Sequence, residues 1–180
     1  MGRPGVFLDR DGVVNRATVK DGKPFPPASA ADLEILPGVV DACAELRRAG
    51  LAVVVVTNQP DVVRGTTSRE AVEAINEALC ARVPVDDLVV CFHDDADGCH
   101  CRKPAPGLLM EAAERWSIDL ARSVMVGDRW ADIEAGRRAG CSTVWIDCGY
   151  SERQPENPDV TMANLADAVP WIVRRCGEQP

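Results

Sequence analysis

The chain has 180 residues, of which 46% are hydrophobic and 27% charged, a balance typical of one globular domain with a full apolar core. Its formal net charge is −8 and it has no long run of Lys and Arg, which argues against extended nucleic-acid binding. The apolar run near the start is too short for a signal peptide or a membrane span. We therefore expect a cytoplasmic protein without membrane contact, and we favour a monomer.

Short apolar strands alternate with amphipathic helices along most of the chain. The predicted strands cover residues 6–8, 51–56, 88–92, 123–126 and 142–146. The predicted helices cover residues 39–49, a segment from a capping box at Thr67 and Glu70 through Leu79, a segment over 108–116, residues 133–139 and residues 164–175. This alternation predicts an α/β fold with a doubly wound, mainly parallel sheet in a single domain over residues 1–180.

The segment between the first strand and the first helix has no regular period. Residues 12–36 contain Gly22, Pro24, Pro26 and Pro27. A connection of this length is usually functional or disordered, and we interpret it as a flap over a site at the end of the first strand. The sequence contains no insertion large enough to form a separate cap.

Polar clusters follow three of the predicted strands. They are Asp9-Arg10-Asp11, Thr57-Asn58-Gln59 and Gly127-Asp128. Each Asp alone is equally well explained as a turn or helix-capping residue. Because ligands of parallel sheets bind beyond the carboxyl ends of the strands, the coincidence of three such clusters favours one common site.

Carboxylates predominate in this predicted site. Asp9, Asp11, Asp128 and Asp132 would repel one another if they met in one crevice. A bound Mg²⁺ would relieve this repulsion, because it prefers oxygen ligands and neutralises an incoming phosphate.

A cysteine-rich loop follows the third strand. Cys91, His93, Cys99 and Cys101 have the composition and spacing of a closed Cys₃His zinc site, with His100 as the competitor for the histidine position. A set of free thiols or one disulfide is the alternative. Since all four positions are filled by protein, we expect a structural Zn²⁺ that fixes the loop over residues 91–103. The other five cysteines are interpreted as small buried apolar residues: Cys43, Cys80, Cys141, Cys148 and Cys176.

The clusters together resemble the four ordered motifs of the haloacid-dehalogenase superfamily. The motifs are Asp9-Arg10-Asp11-Gly12-Val13, Thr57, Lys103 and Gly127-Asp128-Arg129-Trp130-Ala131-Asp132. The resemblance implies a Mg²⁺-dependent phosphatase in which Asp9 is the nucleophile and Asp11 the general acid and base. It further implies that Thr57, Asn58 and Lys103 bind the transferring phosphoryl group. Asp9, the Asp11 carbonyl and Asp128 would hold Mg²⁺, with Asp132 supporting them.

The cysteine loop narrows the resemblance to a zinc-containing branch with heptose-bisphosphate and histidinol-phosphate phosphatases. Arg64-Gly65 and the segment Cys101-Arg102-Lys103-Pro104 resemble the heptose enzymes, which implies that the substrate is a small sugar phosphate. The residues expected to contact it are Arg102, Arg64, Arg129, Gln59 and Asn15.

The sequence departs from the heptose pattern at several places. Pro60-Asp61 stands where Ser-Gly is usual, Phe92 replaces a proline, Arg129 replaces a lysine, and the zinc loop is short. A phosphatase for histidinol phosphate or another small phosphomonoester is therefore an alternative. An inactive, zinc-stabilised binding module is a more distant one.

Overall fold

The computed structural model of the chain describes residues 2–177; our predicted domain also includes positions 1 and 178–180, which lie outside the described residues. The strands are β1 Gly5–Leu8, β2 Thr18–Lys20, β3 Lys23–Phe25, β4 Ala52–Asn58, β5 Asp87–Cys91, β6 Val124–Gly127, β7 Ser142–Ile146 and β8 Val160–Met162. The α-helices are α1 Val39–Arg48, α2 Arg69–Cys80, α3 Gly107–Trp116, α4 Trp130–Ala139 and α5 Leu165–Gly177.

Six strands form one parallel sheet in the order β5-β4-β1-β6-β7-β8. The first strand of the chain lies at the centre, where Leu8 is in register with Val55 of β4 and Val126 of β6. All four residues of β1 are buried because both faces of the sheet are covered. The residue that follows β1 therefore lies between the ends of its two neighbours.

Two apolar cores lie on opposite faces of the sheet. One contains the buried faces of α1, α2 and α5, including Leu46, Leu79 and Ile172. The other contains those of α3 and α4, including Leu109 and Ala135. Each fully buried large aliphatic side chain contributes about 1.5–3 kcal/mol through removal of its surface from water. Helices on both faces confirm the predicted doubly wound α/β fold.

Three local features differ from the sequence-based expectation. The segment predicted as an irregular flap contains the antiparallel hairpin β2–β3, in which Thr18 pairs with Phe25. An edge strand, β8, was not predicted, because three residues are too few to show a period. Helix α2 is capped by Ser68, whose side chain accepts the Ala71 N–H at 3.1 Å, so the predicted capping box at Thr67 is wrong by one residue.

Candidate active site

The carboxyl ends of β1, β4 and β6 border a crevice of about 350 Å³. Strand-end and loop residues form its floor, and the flap hairpin contributes one wall through Lys23 and Phe25. Among the described residues, no separate cap covers it. The residues that line it include Asp9, Asp11, Thr57, Asn58, Gln59, Arg64, Lys103, Arg129 and Asp132.

Asp9 and Lys103 form a buried ion pair on the crevice floor. The Asp9 N–H donates to Val126 O at 2.9 Å, which continues the β1–β6 ladder and fixes the backbone. The Lys103 ammonium donates to Asp9 Oδ1 at 2.6 Å, and its other contacts are Asp132 Oδ1 at 2.7 Å and Val56 O at 2.8 Å. Burial raises the pKa of Asp9 to about 6, although the Lys103 ammonium opposes this rise.

Asp128 does not line the crevice itself but adds a third buried carboxylate behind the floor, within 4.8 Å of Asp9 and Asp132 atom to atom. When all three carboxylates are ionised, they exceed the charge of the Lys103 ammonium by two, and burial together with this excess accounts for the raised pKa values in this cluster. Asp128 is 3% exposed, and its carboxylate oxygens make no well-formed hydrogen bond among the described residues, although the Tyr150 hydroxyl lies close enough to lower the carboxyl pKa. Burial and the neighbouring Asp9 and Asp132 carboxylates raise its pKa well above the ordinary value.

Two neighbouring residues shape the space around Asp128. Gly12 has φ +93°, and a side chain on its Cα would overlap the Asp128 carboxylate, so only glycine fits there. The Trp145 indole N–H donates to the Asp128 carbonyl at 3.1 Å and holds the backbone of the strand end.

Asp132 has no free oxygen, unlike Asp128. Its Oδ1 bonds the Lys103 ammonium, and its Oδ2 accepts the Arg129 N–H at 3.0 Å at the start of α4. Asp132 thereby caps α4 and orients Lys103. Both oxygens of Asp132 are therefore engaged by protein groups, whereas those of Asp128 are not.

Asp11 lies beside the floor, where three side chains donate hydrogen bonds to its carboxylate. The Arg10 guanidinium reaches it with Nη2 at 2.9 Å from Oδ2, while Asn15 Nδ2 lies 3.0 Å from Oδ1. Gln59 Nε2 lies 2.9 Å from Oδ2 and also donates to Thr57 Oγ1 at 2.9 Å. The Asp11 side chain is 15% exposed, so it still reaches the crevice.

The donor set of the cysteine loop is gathered in one place. Ligand atoms of Cys91, His93, Cys99 and Cys101 lie within 4.8 Å of one another. The sulfur separations are 3.0–3.8 Å, far longer than the roughly 2.05 Å of a disulfide, so the cysteines are free thiols. A tetrahedral zinc with bonds of about 2.3 Å requires sulfurs at similar separations, and the Cys₃His set is one that zinc prefers.

The local pKa values of the thiols are uneven. Burial raises the pKa of Cys91, whereas at Cys99 the Arg102 N–H and the neighbouring Cys101 and Cys91 thiols outweigh burial and lower the pKa to about 7. His100 is exposed and lies outside the cluster, which favours His93 as the histidine ligand.

Sequence comparisons show which known proteins this chain resembles. Residues 100–168 match a family model described as HAD-hydrolase-like. The D-glycero-β-D-manno-heptose-1,7-bisphosphate 7-phosphatase of Mesorhizobium japonicum is 38% identical over 84% of this chain and 73% of its own length. The protein of the same name from Escherichia coli K12 is 34% identical over 98% of this chain and 92% of its own.

The solved structures agree. The D,D-heptose 1,7-bisphosphate phosphatase of Bordetella bronchiseptica, complexed with magnesium and phosphate, has a TM-score of 0.76 and 31% identity. The match covers 95% of this chain and 98% of that one. The chain belongs to the haloacid-dehalogenase superfamily of phosphatases. It is a phosphoric monoester hydrolase that acts on a small phosphorylated molecule.

Two residues predicted to contact the substrate of this phosphatase are placed elsewhere. Asn15 is fully buried and does not line the crevice, and its amide holds Asp11. Arg102 also lies outside the crevice lining and pairs with Asp95, with Nε 2.7 Å from Oδ1. The structure therefore places neither Asn15 nor Arg102 in the lining of the crevice.

Three other predicted contacts line the crevice but are held by protein partners. The Gln59 amide is only 2% exposed and is engaged with Asp11 and Thr57. Arg64 forms a two-pronged pair with Asp94, and this guanidinium holds the pKa of Asp94 at about 2. Arg129 forms a similar pair with Glu152, with both distances 2.8 Å.

Two of the five cysteines outside the cluster contradict their predicted burial. Cys43, Cys141 and Cys176 are buried, as expected, but Cys80 and Cys148 are exposed. Cys80 is the last residue of α2, where side chains turn to solvent, and Cys148 follows β7 in a loop.

The sequence analysis missed two buried polar residues beside the site, Arg10 and Asn76. Arg10 is fully buried, and its Nη1 donates to Asn76 Oδ1 at 2.7 Å. Asn76 could have been found from the sequence, because it is a polar residue on the apolar face of α2 with Val72, Ile75 and Leu79.

Among residues 2–177, no helix has both the length and the apolar character needed to cross a membrane.

Proposed function

We propose that this phosphatase hydrolyses D-glycero-D-manno-heptose 1,7-bisphosphate to the 1-phosphate through an aspartyl phosphate on Asp9. The main support is the buried floor of the crevice, where Asp9 at the end of the central strand faces Lys103 and the unpaired Asp128 carboxylate. Relatives named for removal of the 7-phosphate match most of the chain at 34–38% identity, which supports the substrate.

A divalent cation fits the donor set of the floor. The buried Asp128 oxygens and the excess of carboxyl groups over the single Lys103 ammonium are the features that Mg²⁺ would satisfy. Asp9, the backbone carbonyl of Asp11 and Asp128 would hold it, and Asp132 would support the site through Lys103 and Arg129. When bound, Mg²⁺ supplies neutralisation of the phosphoryl charge, which is a large part of phosphoryl-transfer catalysis.

Catalysis would begin with attack of an Asp9 carboxylate oxygen on phosphorus. As the new P–O bond forms, the bond from phosphorus to the substrate oxygen breaks, and that oxygen takes the proton of the Asp11 carboxyl group. The sugar alcohol leaves, and Asp9 carries the phosphoryl group. Thr57 and the Lys103 ammonium would bind the phosphoryl oxygens, since both lie on the crevice floor.

The second half of the reaction releases phosphate. The Asp11 carboxylate removes a proton from water as the water oxygen attacks phosphorus, and the bond between phosphorus and Asp9 breaks. Asp9 is then a free carboxylate again, and Asp11 carries the proton needed for the next substrate.

The remote phosphate of a bisphosphate requires its own cations, because the chain as a whole is acidic. Arg64, Arg129 and Lys23 line the crevice. Arg102 does not line the crevice but precedes Lys103 in the chain, and its Asp95 partner is 78% exposed, so exchange of Asp95 for a phosphate costs little. The zinc loop has only five residues between His93 and Cys99, which departs from the heptose pattern. A monophosphate such as histidinol phosphate is therefore the second candidate.

The zinc proposed for the cysteine loop is structural. The loop leads directly into Arg102 and Lys103, and the Arg102 N–H lies 3.4 Å from Cys99 Sγ. A filled Cys₃His site has no open position for water and therefore no catalytic role. A cytoplasmic location and a monomeric state are predictions that rest on the sequence alone.

Phosphorus NMR of the purified protein with Mg²⁺ and synthetic heptose 1,7-bisphosphate tests this function. The expected result is loss of the 7-phosphate resonance, retention of the 1-phosphate and one equivalent of inorganic phosphate. Asp9→Asn is the matched control and should abolish turnover, because a neutral amide cannot attack phosphorus to form the acyl phosphate. Faster hydrolysis of histidinol phosphate than of the bisphosphate would transfer the assignment to the second candidate.

A further inference from the structure

Arg10 is the largest fully buried side chain in the described part of the chain, yet it is charged. Its guanidinium divides its donors between two partners. Nε and Nη2 face the Asp11 carboxylate at 2.9–3.3 Å, while Nη1 donates to Asn76 Oδ1 at 2.7 Å. A guanidinium is rigid and planar, so fixing Nη1 also fixes the edge that faces Asp11.

Asn76 is the distant anchor of this arrangement. It lies on α2, 66 positions along the chain from Arg10, among the buried apolar residues of that helix. An amide on an apolar helix face is unfavourable unless it is hydrogen bonded. The bond to Arg10 satisfies it and connects the helix to the end of β1.

We propose that Arg10 is a positioning residue for Asp11, and that Asn76 fixes Arg10 from helix α2. This inference rests on the proposed acid and base role of Asp11. The amides of Gln59 and Asn15 also donate hydrogen bonds to this carboxylate, but Arg10 is the one cation that contacts it in the described residues. A carboxyl group that must meet a leaving oxygen within hydrogen-bond reach depends on such a fixed orientation.

The test acts on Asn76, because loss of a fully buried Arg10 endangers the fold itself. Asn76→Leu keeps the apolar helix face and removes the acceptor of Arg10. Two substrates are compared in single turnover: 4-nitrophenyl phosphate, whose leaving anion is stable without a proton, and an alkyl phosphate, whose leaving oxygen must be protonated. Release of the alkyl alcohol should slow by about tenfold or more relative to release of nitrophenolate, with KM little changed.

Three variants serve as references. Asn76→Asp keeps an acceptor oxygen at the same place and should restore the wild-type ratio of the two rates. Leu79→Ala destabilises the same helix by opening its packing, without touching Arg10, and should slow both substrates equally if it slows either. Asp11→Asn sets the largest possible preference for nitrophenyl phosphate.

The results separate two failures. If Asp11→Asn shows no preference for the better leaving group, the acid role of Asp11 is wrong and the inference falls with it. If Asp11→Asn shows the preference and Asn76→Leu behaves like Leu79→Ala, Asn76 acts only through stability and the positioning role is overturned. Failure of Asn76→Asp to recover the ratio would also overturn it, because an acceptor would then be present without effect.

Discussion

Asn58 holds the backbone of Lys103 with both ends of its side-chain amide. Its Nδ2 donates to Lys103 O at 3.0 Å, and its Oδ1 accepts the Lys103 N–H at 3.1 Å. The two residues are 45 positions apart, so this pair joins the end of β4 to the cysteine loop. The amide that we predicted to bind phosphate is therefore already engaged in placing the lysine.

Replacement of Asn58 by leucine should weaken both the fold and the reaction. Two hydrogen bonds are lost, so the free energy of unfolding should fall by about 1–3 kcal/mol, measured by urea denaturation. The value of kcat should fall as Lys103 loses its fixed position. Asn58→Asp, which keeps only the acceptor, should lie between leucine and wild type. A rise in KM at unchanged stability would instead support direct contact with the substrate.

Asp128→Asn should stabilise the metal-free protein and abolish its response to Mg²⁺. Because the folded-state pKa of Asp128 is raised, its contribution to stability is most favourable below the ordinary value near 3.8 and is lost as pH rises above it. The asparagine variant should therefore become more stable relative to wild type as the pH rises above that ordinary value.

Thermal unfolding from pH 4 to 8, with and without Mg²⁺, measures this difference. Asp87→Asn is a control of opposite sign, since hydrogen bonds from Trp116 and Arg115 outweigh burial and lower the pKa of Asp87. That variant should be less stable than wild type throughout this pH range, and the difference should shrink only when the pH falls below the ordinary value near 3.8. Equal stability of Asp128→Asn and wild type at all pH values would mean that the carboxylate is satisfied without a metal.

Cys99→Ser should release zinc and lower the melting temperature. Purified wild-type protein is expected to carry about one zinc per chain, and loss of one thiolate ligand removes most of the binding free energy that the loop uses to fold. Elemental analysis and calorimetry measure the two effects. Cys80→Ser alters an exposed thiol outside the cluster and should change neither. A disulfide among Cys91, Cys99 and Cys101 in the zinc-free purified protein would refute the metal site.

Arg102→Ala should distinguish a bisphosphate from a monophosphate substrate. If Arg102 leaves Asp95 to bind the remote phosphate, its loss should lower kcat/KM for the heptose bisphosphate by a factor equivalent to about 1–3 kcal/mol of transition-state stabilisation. The value of kcat/KM for an aryl phosphate should not change. Asp95→Ala frees the guanidinium and should not impair the bisphosphate reaction. Equal losses on both substrates would place Arg102 at the reacting phosphoryl group, and no loss would favour the monophosphate.

The sequence was informative where periodicity and strand ends determine position. The apolar runs of β1, β4 and β6 were predicted, and because parallel strands end at one edge, Asp9, Thr57 and Asp128 could be expected to meet. The partners of these side chains were not predictable, since Asn76 and Arg10 or Asn58 and Lys103 are distant in the chain. The motif around Asp9 likewise gave no indication that Arg10 is fully buried.

The central place of β1 in the sheet has a consequence for synthesis of the chain. The Gly5 N–H donates to the Ser123 hydroxyl, 118 positions further along. At a translation rate of about 5–20 residues per second, β1 waits roughly 6–24 s for its partner β6. During that time an entirely apolar strand has at most one neighbour, β4, so the nascent chain exposes an unpaired edge. Asp9 likewise cannot meet Asp128 until the 119 positions that separate them have been translated.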